Sequence, residues 1–337
     1  MEAVAANRSA ILVELLEHHA GARGALFESI DCAEVSLHTF TGVTAGESNP
    51  VFVSRDTTGR GLSSLTHAIC MKKPEFNPAW PESWRMSHAY DLEEVFGEIR
   101  NYGYAYAYQR RLRDTLKLVQ SIASPPATVL DVAAGAGNFA LRLAELGYTV
   151  TWNDLRADLA EYVRLKQERG TVNLAPGNAF ELGFENAFDV VIINEVIEHV
   201  AHPDEFLEKT ARMVRPGGHV VMTTPNGAYF RHNLPKFSEC SDPSQFEALQ
   251  FKPNSDGHIF LLHPDEIAGL AAKAGLKVER IRLVTNFLTH GHVKTERILG
   301  IIPRWLVDAQ EAITQRLPGF LSRRIHTSMI VLFSKPS

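Results

Sequence analysis

The chain has 337 residues, 45% of them hydrophobic and 22% charged, and a formal net charge of −5. That length and balance fit one large α/β domain, or one domain with a smaller cap, and exclude a disordered chain. The acidic excess argues against a general nucleic-acid binder, whose affinity comes from a basic face that releases counterions.

The first segment, MEAVAANRSAILVELLEHHAGARG, has an acid at Glu2 and an apolar run broken by Glu14 and Glu17, unlike a secretory signal. It reads instead as an amphipathic helix. No apolar run reaches the roughly 18–20 residues needed to span a bilayer. Cys32, Cys70 and Cys240 are too scattered for a zinc or redox pair and read as free thiols, so a cytoplasmic location is expected. Residues 1–90 hold two strand-like runs, EVSLHTF and VFVSRDT, and a loop rich in proline and aromatics, KKPEFNPAWPESW. They carry no interpretable motif and are expected to form an N-terminal extension or cap on a domain spanning 91–337.

From Asp91 the spacing turns helical, in DLEEVFGEIRNYGYAYAYQRRLRDTLKLVQSIA, and SPP ends it. Tyr102, Tyr104, Tyr106 and Tyr108 alternate, which suits packing better than a single ligand-facing stripe. Between Thr128 and Leu283 the apolar runs TVLDVA, TVTWND, VNLAPG, FDVVIIN, HVVMTTP and KVERIRLV alternate with helical segments. This is the signature of βαβ units and a mostly parallel sheet with helices on both faces. FDVVIIN shows no polar alternation, as a strand buried on both faces requires. Phe230, Arg231 and His232, after TTPN, either face an acceptor pocket or lie in a loop. TSMIVLFSKP is a last strand, preceded at 288–325 by a helical insertion expected to act as a lid. Its Trp305, Leu306, Phe320 and Leu321 lie among Arg304, Arg316, Arg323 and Arg324. Such a segment packs onto the domain or a homodimer interface, or makes peripheral contact with a membrane.

VLDVAAGAGNFALRLAELGYTVTWND places a strand, a turn containing Gly135 and Gly137, a helix, a second strand and then Asp154. The glycines admit a ligand to the backbone, the helix N-terminus adds a favourable dipole, and the acid suits ribose hydroxyls. Asp131, beside the turn, would repel a pyrophosphate but suits the cationic amino group of a methionine moiety. S-adenosylmethionine is therefore favoured over NAD.

Together with GNAFEL, FDVVIINEVIEHVAHPDEFLEKTARMVRPGGHVVMTTPN and HIFLLHPDEIAGLAAKAGL, this stretch resembles class I S-adenosylmethionine-dependent methyltransferases. It is most similar in look to the ubiquinone-biosynthesis type and related small-molecule O-methyltransferases. The resemblance covers about 112–284 and the last strand. It implies a Rossmann-like, doubly wound, seven-stranded sheet. It further implies that Asp131, Ala134, Gly135 and Gly137 wrap the methionine part and that Asp154 holds the ribose. Leu155 would lie against the adenine, Asn178 and Ala179 at its edge, and Asn194 beside the methionine end. Two positions depart from the family pattern: Ala133 stands where a first glycine is usual, and Asn178 where an acid is common. Alanine adds a methyl, and an Asn oxygen accepts the same hydrogen bond.

NEVIEHVAHPDEF packs Glu195, Glu198, His199 and His202 into eight residues where the buried strand ends, which is the ligand edge of a doubly wound sheet. If helical, Glu195, Glu198 and His199 share one face. His202 precedes Pro203, which disfavours the helical conformation, so HPDEF reads as a new helix start. Glu-x-x-Glu-His is not a metallopeptidase motif. It is similar to the metal-holding segment of small-RNA 2′-O-methyltransferases, and that resemblance implies a divalent ion held by Glu195, Glu198, His199 and His258. The other readings are a metal-free site in which His199 is the base, and a structural cluster. The expected activity is methylation of a small-molecule hydroxyl, with Glu198, His199 and His258 catalytic. RNA 2′-O-methylation and a non-catalytic cofactor-binding protein are the alternatives.

Overall fold

The computed structural model describes residues 71–250, 257–292 and 295–337, and the readings made for residues 1–70 lie outside them. Seven strands form one sheet: β1 (Thr128–Val132), β2 (Thr149–Trp152), β3 (Val172–Leu174), β4 (Phe188–Asn194), β5 (Val214–Pro225), β6 (Lys277–Asn286) and β7 (His326–Ser334). Their order is β3-β2-β1-β4-β5-β7-β6, with β1 to β5 parallel and β7 antiparallel to both of its neighbours. The run FDVVIIN is the central strand, and Val190, Val191, Ile192 and Ile193 are wholly buried. An all-apolar strand is stable only with helices on both faces, and one apolar cluster fills each side of the sheet.

Helices flank the sheet: α1 (Glu82–Glu94), α2 (Tyr102–Ile122), α3 (Asn138–Glu145), α4 (Leu159–Lys166), α5 (Pro203–Met213) and α6 (Ile267–Lys273). The segment read as helical from Asp91 is two helices, α1 and α2, separated by a non-helical stretch in which Gly97 has φ +80°. Residue 90, the expected boundary, falls inside α1. That helix is joined to the sheet domain by a buried polar network. Lys166 on α4 donates to Asp91 (2.7 Å) and to Asn138 Oδ1 (2.6 Å). Asp91 also accepts from the Tyr162 hydroxyl and from Asn138 Nδ2, each at 2.8 Å. Asn138 is the first residue of α3, directly after the glycine turn.

Before β7 lie α7 (Glu296–Leu299), α8 (Arg304–Thr314) and α9 (Gly319–Ile325). Asp308 on α8 pairs with Arg110 (3.1 Å) and Arg113 (3.0 Å) of α2 and accepts from the Tyr106 hydroxyl (2.8 Å). One turn on, Glu311 accepts from the backbone N–H of Asn286 at the end of β6 (2.9 Å). Among the described residues, no helix is long and apolar enough to cross a membrane.

Candidate active site

The glycine turn leaves β1 with Ala133 at φ +52°, followed by Gly135 at +52° and Gly137 at +76°. The departure at Ala133 therefore matters less for its methyl bulk than for its backbone, since the left-handed region costs an L-residue about 1–2 kcal/mol. At Gly137 a Cβ would meet Val163 Cγ2 at 2.8 Å, so the helix can lie against α4 only with glycine there. Gly135 faces open space apart from the Arg156 guanidinium.

Asp154 follows β2 by two residues and its carboxylate is already engaged. Oδ2 accepts from the Gly135 N–H (2.8 Å), and Oδ1 accepts from the Arg156 N–H (2.9 Å) and Nε (3.0 Å). Arg156 is largely exposed and can swing away. Leu155 beside it is 53% exposed, an apolar surface next to the turn. Asn178 caps the short 3-10 turn Ala179–Glu181: its Oδ1 accepts from the Phe180 N–H (3.2 Å) and its Nδ2 donates to Glu181 (2.8 Å). Ala179 is buried behind it.

Two side chains at the ligand edge carry polar atoms that have no partner among the described residues. Asp131 is 2% exposed and its Oδ2 has no hydrogen bond; on the next strand, both side-chain polar atoms of Asn194 are buried and unpartnered. Burial, with the Asp154 charge adding to it, pushes the Asp131 carboxyl up to about 8 despite one backbone hydrogen bond from Ala140. A buried acid beside an unpaired amide is a receptor for a cationic hydrogen-bond donor.

The segment after β4 is not the helix that would put Glu195, Glu198 and His199 on one face. Glu195 has φ +53°, and only Ile197–His199 form a 3-10 turn. Glu195 instead accepts from the Thr223 hydroxyl (3.0 Å) and pairs with Arg111 of α2 (3.4 Å), and the group of close ligand atoms among the described residues is Glu198, His199 and His258 without it. His202 does stand just before a new helix, α5, at its N-cap position without a side-chain cap hydrogen bond, and Asp204 and Glu205 lie in that helix's first turn. Glu198 is wholly buried. Its Oε2 accepts from the Thr224 hydroxyl (3.0 Å), and its Oε1 has no hydrogen-bond partner among the described residues. Burial, then the Glu195 charge, drives its carboxyl well above the ordinary range. The Ile259 N–H donates to the Glu198 carbonyl (2.7 Å) and fixes His258 beside this turn. One ligand atom from each of Glu198, His199 and His258 lies within 4.8 Å of the others. His199 Nδ1 shares a 3.3 Å hydrogen bond with the Gly257 carbonyl, which can only accept, so Nδ1 carries a proton and the lone pair of the neutral ring is on Nε2. Nε2 lies 4.0 Å from Glu198 Oε1.

A family model described as a methyltransferase domain matches residues 104–281, more than half of the chain. The chain belongs to this methyltransferase family. Its sheet is that of class I S-adenosylmethionine-dependent methyltransferases, as the sequence implied. A ubiquinone biosynthesis O-methyltransferase of Hydrogenovibrio crunogenus is 30% identical over 166 residues, covering 48% of this methyltransferase and 66% of the relative. One from Caulobacter sp. strain K31 is 37% identical over 148 residues, covering 43% and 57%. The chain thus spans less than two thirds of these relatives' length. A solved S-adenosylmethionine-dependent methyltransferase of Mesorhizobium loti is similar at 13% identity, with a TM-score of 0.45 and coverage of 68% of this chain and 98% of that one.

The family implies S-adenosylmethionine as cofactor, and the residues present fit it. The unpartnered Asp131 Oδ2 and Asn194 amide suit its ammonium and carboxylate, and the open face of Gly135 admits it to the backbone. Sequence reasoning missed Arg156, which occupies Asp154, and Arg111, which holds Glu195. Arg111 is one of two adjacent arginines in a helix and carries no local signal. Thr223 and Thr224, which orient the two glutamates, were visible as the TTPN run but carried no role.

Proposed function

We propose that this methyltransferase transfers a methyl group to a hydroxyl of a small molecule, activated at a centre of Glu198, His199 and His258 that holds a divalent cation. One observation carries this reading: a wholly buried glutamate whose Oε1 has no hydrogen-bond partner lies within reach of two imidazoles at the carboxyl end of β4. Buried alone, such a carboxylate takes up a proton; beside a dication it stays ionised. His199 supports the same reading, because its Nδ1 proton is held by a backbone carbonyl, the arrangement that prepares Nε2 as a ligand. The nitrogen donors of two imidazoles beside one carboxylate favour zinc, iron or nickel over magnesium, calcium and manganese.

The methionine end of the cofactor would be held by Asp131 and Asn194, its ribose by Asp154 once Arg156 withdraws, and its adenine by Leu155, Asn178 and Ala179. S-adenosylmethionine supplies an electrophilic methyl group. The acceptor must lose its proton at or before attack. For a phenol near pKa 10 and an ordinary imidazole near 6.5 that transfer is uphill by roughly 4.8 kcal/mol, within reach of a well-placed histidine. A cation lowers the pKa of the hydroxyl it binds and so extends the reach to less acidic acceptors.

Calorimetric titration with S-adenosylhomocysteine, elemental analysis after gentle purification, and methyl transfer with and without chelator test the proposal. Absence of cofactor binding refutes the methyltransferase assignment of these residues. Full activity in chelator, with no bound ion, removes the metal and leaves His199 as a metal-free base.

A further inference from the structure

We infer that the wall of the site formed by Arg111, Arg231, His232, His290 and His292 binds an oxyanion, so that the methyl acceptor is itself an acid, bearing a carboxylate or phosphate beside its hydroxyl. This rests on the methyl-transfer reading above and adds the acceptor's charge to it.

The wall is assembled from three elements that sequence distance hides. Arg111 comes from α2; Arg231 and His232 follow β5; His290 and His292 follow β6, which runs parallel to β5 because both are antiparallel to β7. The β5 and β6 loops therefore emerge at the same edge of the sheet as Glu195 and Glu198. His290 and His292 lie with ring centroids 4.1 Å apart. Tyr229, wholly buried, shares a 2.9 Å hydrogen bond with His292 Nδ1 and stacks edge-on to His232 at 5.0 Å. Arg231 donates to the His292 carbonyl. Arg111 joins this wall to the catalytic edge: it pairs with Glu195 and its charge acts on His290.

Three features point to a negative ligand. The first is charge: the Arg111 guanidinium acts on His290 and the Arg231 guanidinium on its neighbour His292, and Glu195, one of the two carboxylates acting on Arg111 with Glu94, is already its ion-pair partner. The second is unmet hydrogen bonding: Arg111 Nε and His290 Nδ1 are buried without partners among the described residues. The third is mutual suppression. Burial first, then the neighbouring His292 and the charges of Arg111 and His232, pull His290 down to about 4. His292 is lowered by burial and then by Arg231 and His232, and His232 is lowered by burial. An oxyanion offsets these penalties, because it accepts hydrogen bonds and its charge favours the protonated imidazoles. Beside the wall, Phe230 is half exposed and packs edge-on against Phe287 at 6.1 Å, a surface for the ring or chain of the same molecule.

The test uses the full chain saturated with S-adenosylhomocysteine, titrated calorimetrically with benzoate, inorganic phosphate and phenol. Cofactor binding is read first and separately, so failure of the methyltransferase reading is not confused with failure of this one. Benzoate or phosphate is expected to bind, and phenol at least tenfold more weakly. Arg231→Gln and His292→Gln are each expected to cut the anion's affinity about tenfold while leaving the S-adenosylhomocysteine titration unchanged. Preference for benzoate assigns a carboxylate and preference for phosphate a phosphate ester. Equal binding of phenol and the anions, binding of neither anion at millimolar concentration, or anion binding unaltered in both variants overturns the inference.

Discussion

Replacing Lys166 by methionine tests how the described N-terminal helix is joined to the cofactor turn. Lys166 and Asp91 have no exposed side-chain surface, and their charged atoms are 2.7 Å apart. Burial pulls the lysine ammonium below its ordinary pKa, and Asp91 restrains the fall. Lys166→Met preserves most of the volume but leaves Asp91 buried with only the Tyr162 hydroxyl and Asn138 Nδ2 as donors. Removing one partner of a buried pair costs about 3–5 kcal/mol. The second bond lost, to Asn138 Oδ1, leaves a further acceptor unmet at the head of α3. The variant should therefore lose about 3–5 kcal/mol in urea unfolding, and it should bind S-adenosylhomocysteine more weakly because Asn138 begins the helix after the turn. Asp91→Asn combined with Lys166→Met removes both charges and should recover most of the loss. A single variant destabilised by less than about 1 kcal/mol, or a double variant as unstable as the sum of its parts, would show that the pair does not join these elements.

Ala133→Gly should stabilise the protein by about 1 kcal/mol in thermal or urea unfolding, since glycine enters the left-handed region without penalty; a loss of stability would contradict that account. Asp131, with its carboxyl raised to about 8 against an unfolded value near 4, contributes stability that is complete below about pH 4 and lost as pH rises through 8. Asp131→Asn should thus gain stability relative to the parent between pH 5 and 9, while the parent's affinity for S-adenosylmethionine rises toward pH 8 and the variant's stays flat; parallel profiles would refute the role. Arg156→Ala frees the buried Asp154 carboxylate from an arginine that is itself 56% exposed, a contact of about 1 kcal/mol at most, so S-adenosylhomocysteine should bind up to about fivefold more tightly by calorimetry. Weaker binding would mean that Arg156 holds the ligand instead.

The β1 turn and the central strand were legible because their signals are local: glycines next to an acid, and an apolar run with no alternation. The start of α1 was not, because its buried face carries His88, Asp91 and Glu94 and so lacks the apolar stripe that marks an amphipathic helix. The helical reading of NEVIEH failed at one residue. Glu195 adopts a left-handed conformation that its side chain does not announce, and the i, i+3, i+4 face is lost, although Glu198, His199 and His258 still meet. His290 and His292 stand some 60 residues from His232, and only the antiparallel insertion of β7 between β5 and β6 brings their loops to one edge.

Helix α8 presents Asp308 to α2 and, three residues later on the same side, Glu311 to the end of β6. One attachment point lies on α2, which carries Arg111, and the other at the end of β6, four residues before His290. The helix therefore works as a caliper, with the rise of one turn, about 5.4 Å, as its unit of length. Shifting either anchor along α8 would reset the width between the walls without changing a residue that lines them. On the acceptor site proposed above, engineering of acceptor preference should start with the spacing of Asp308 and Glu311.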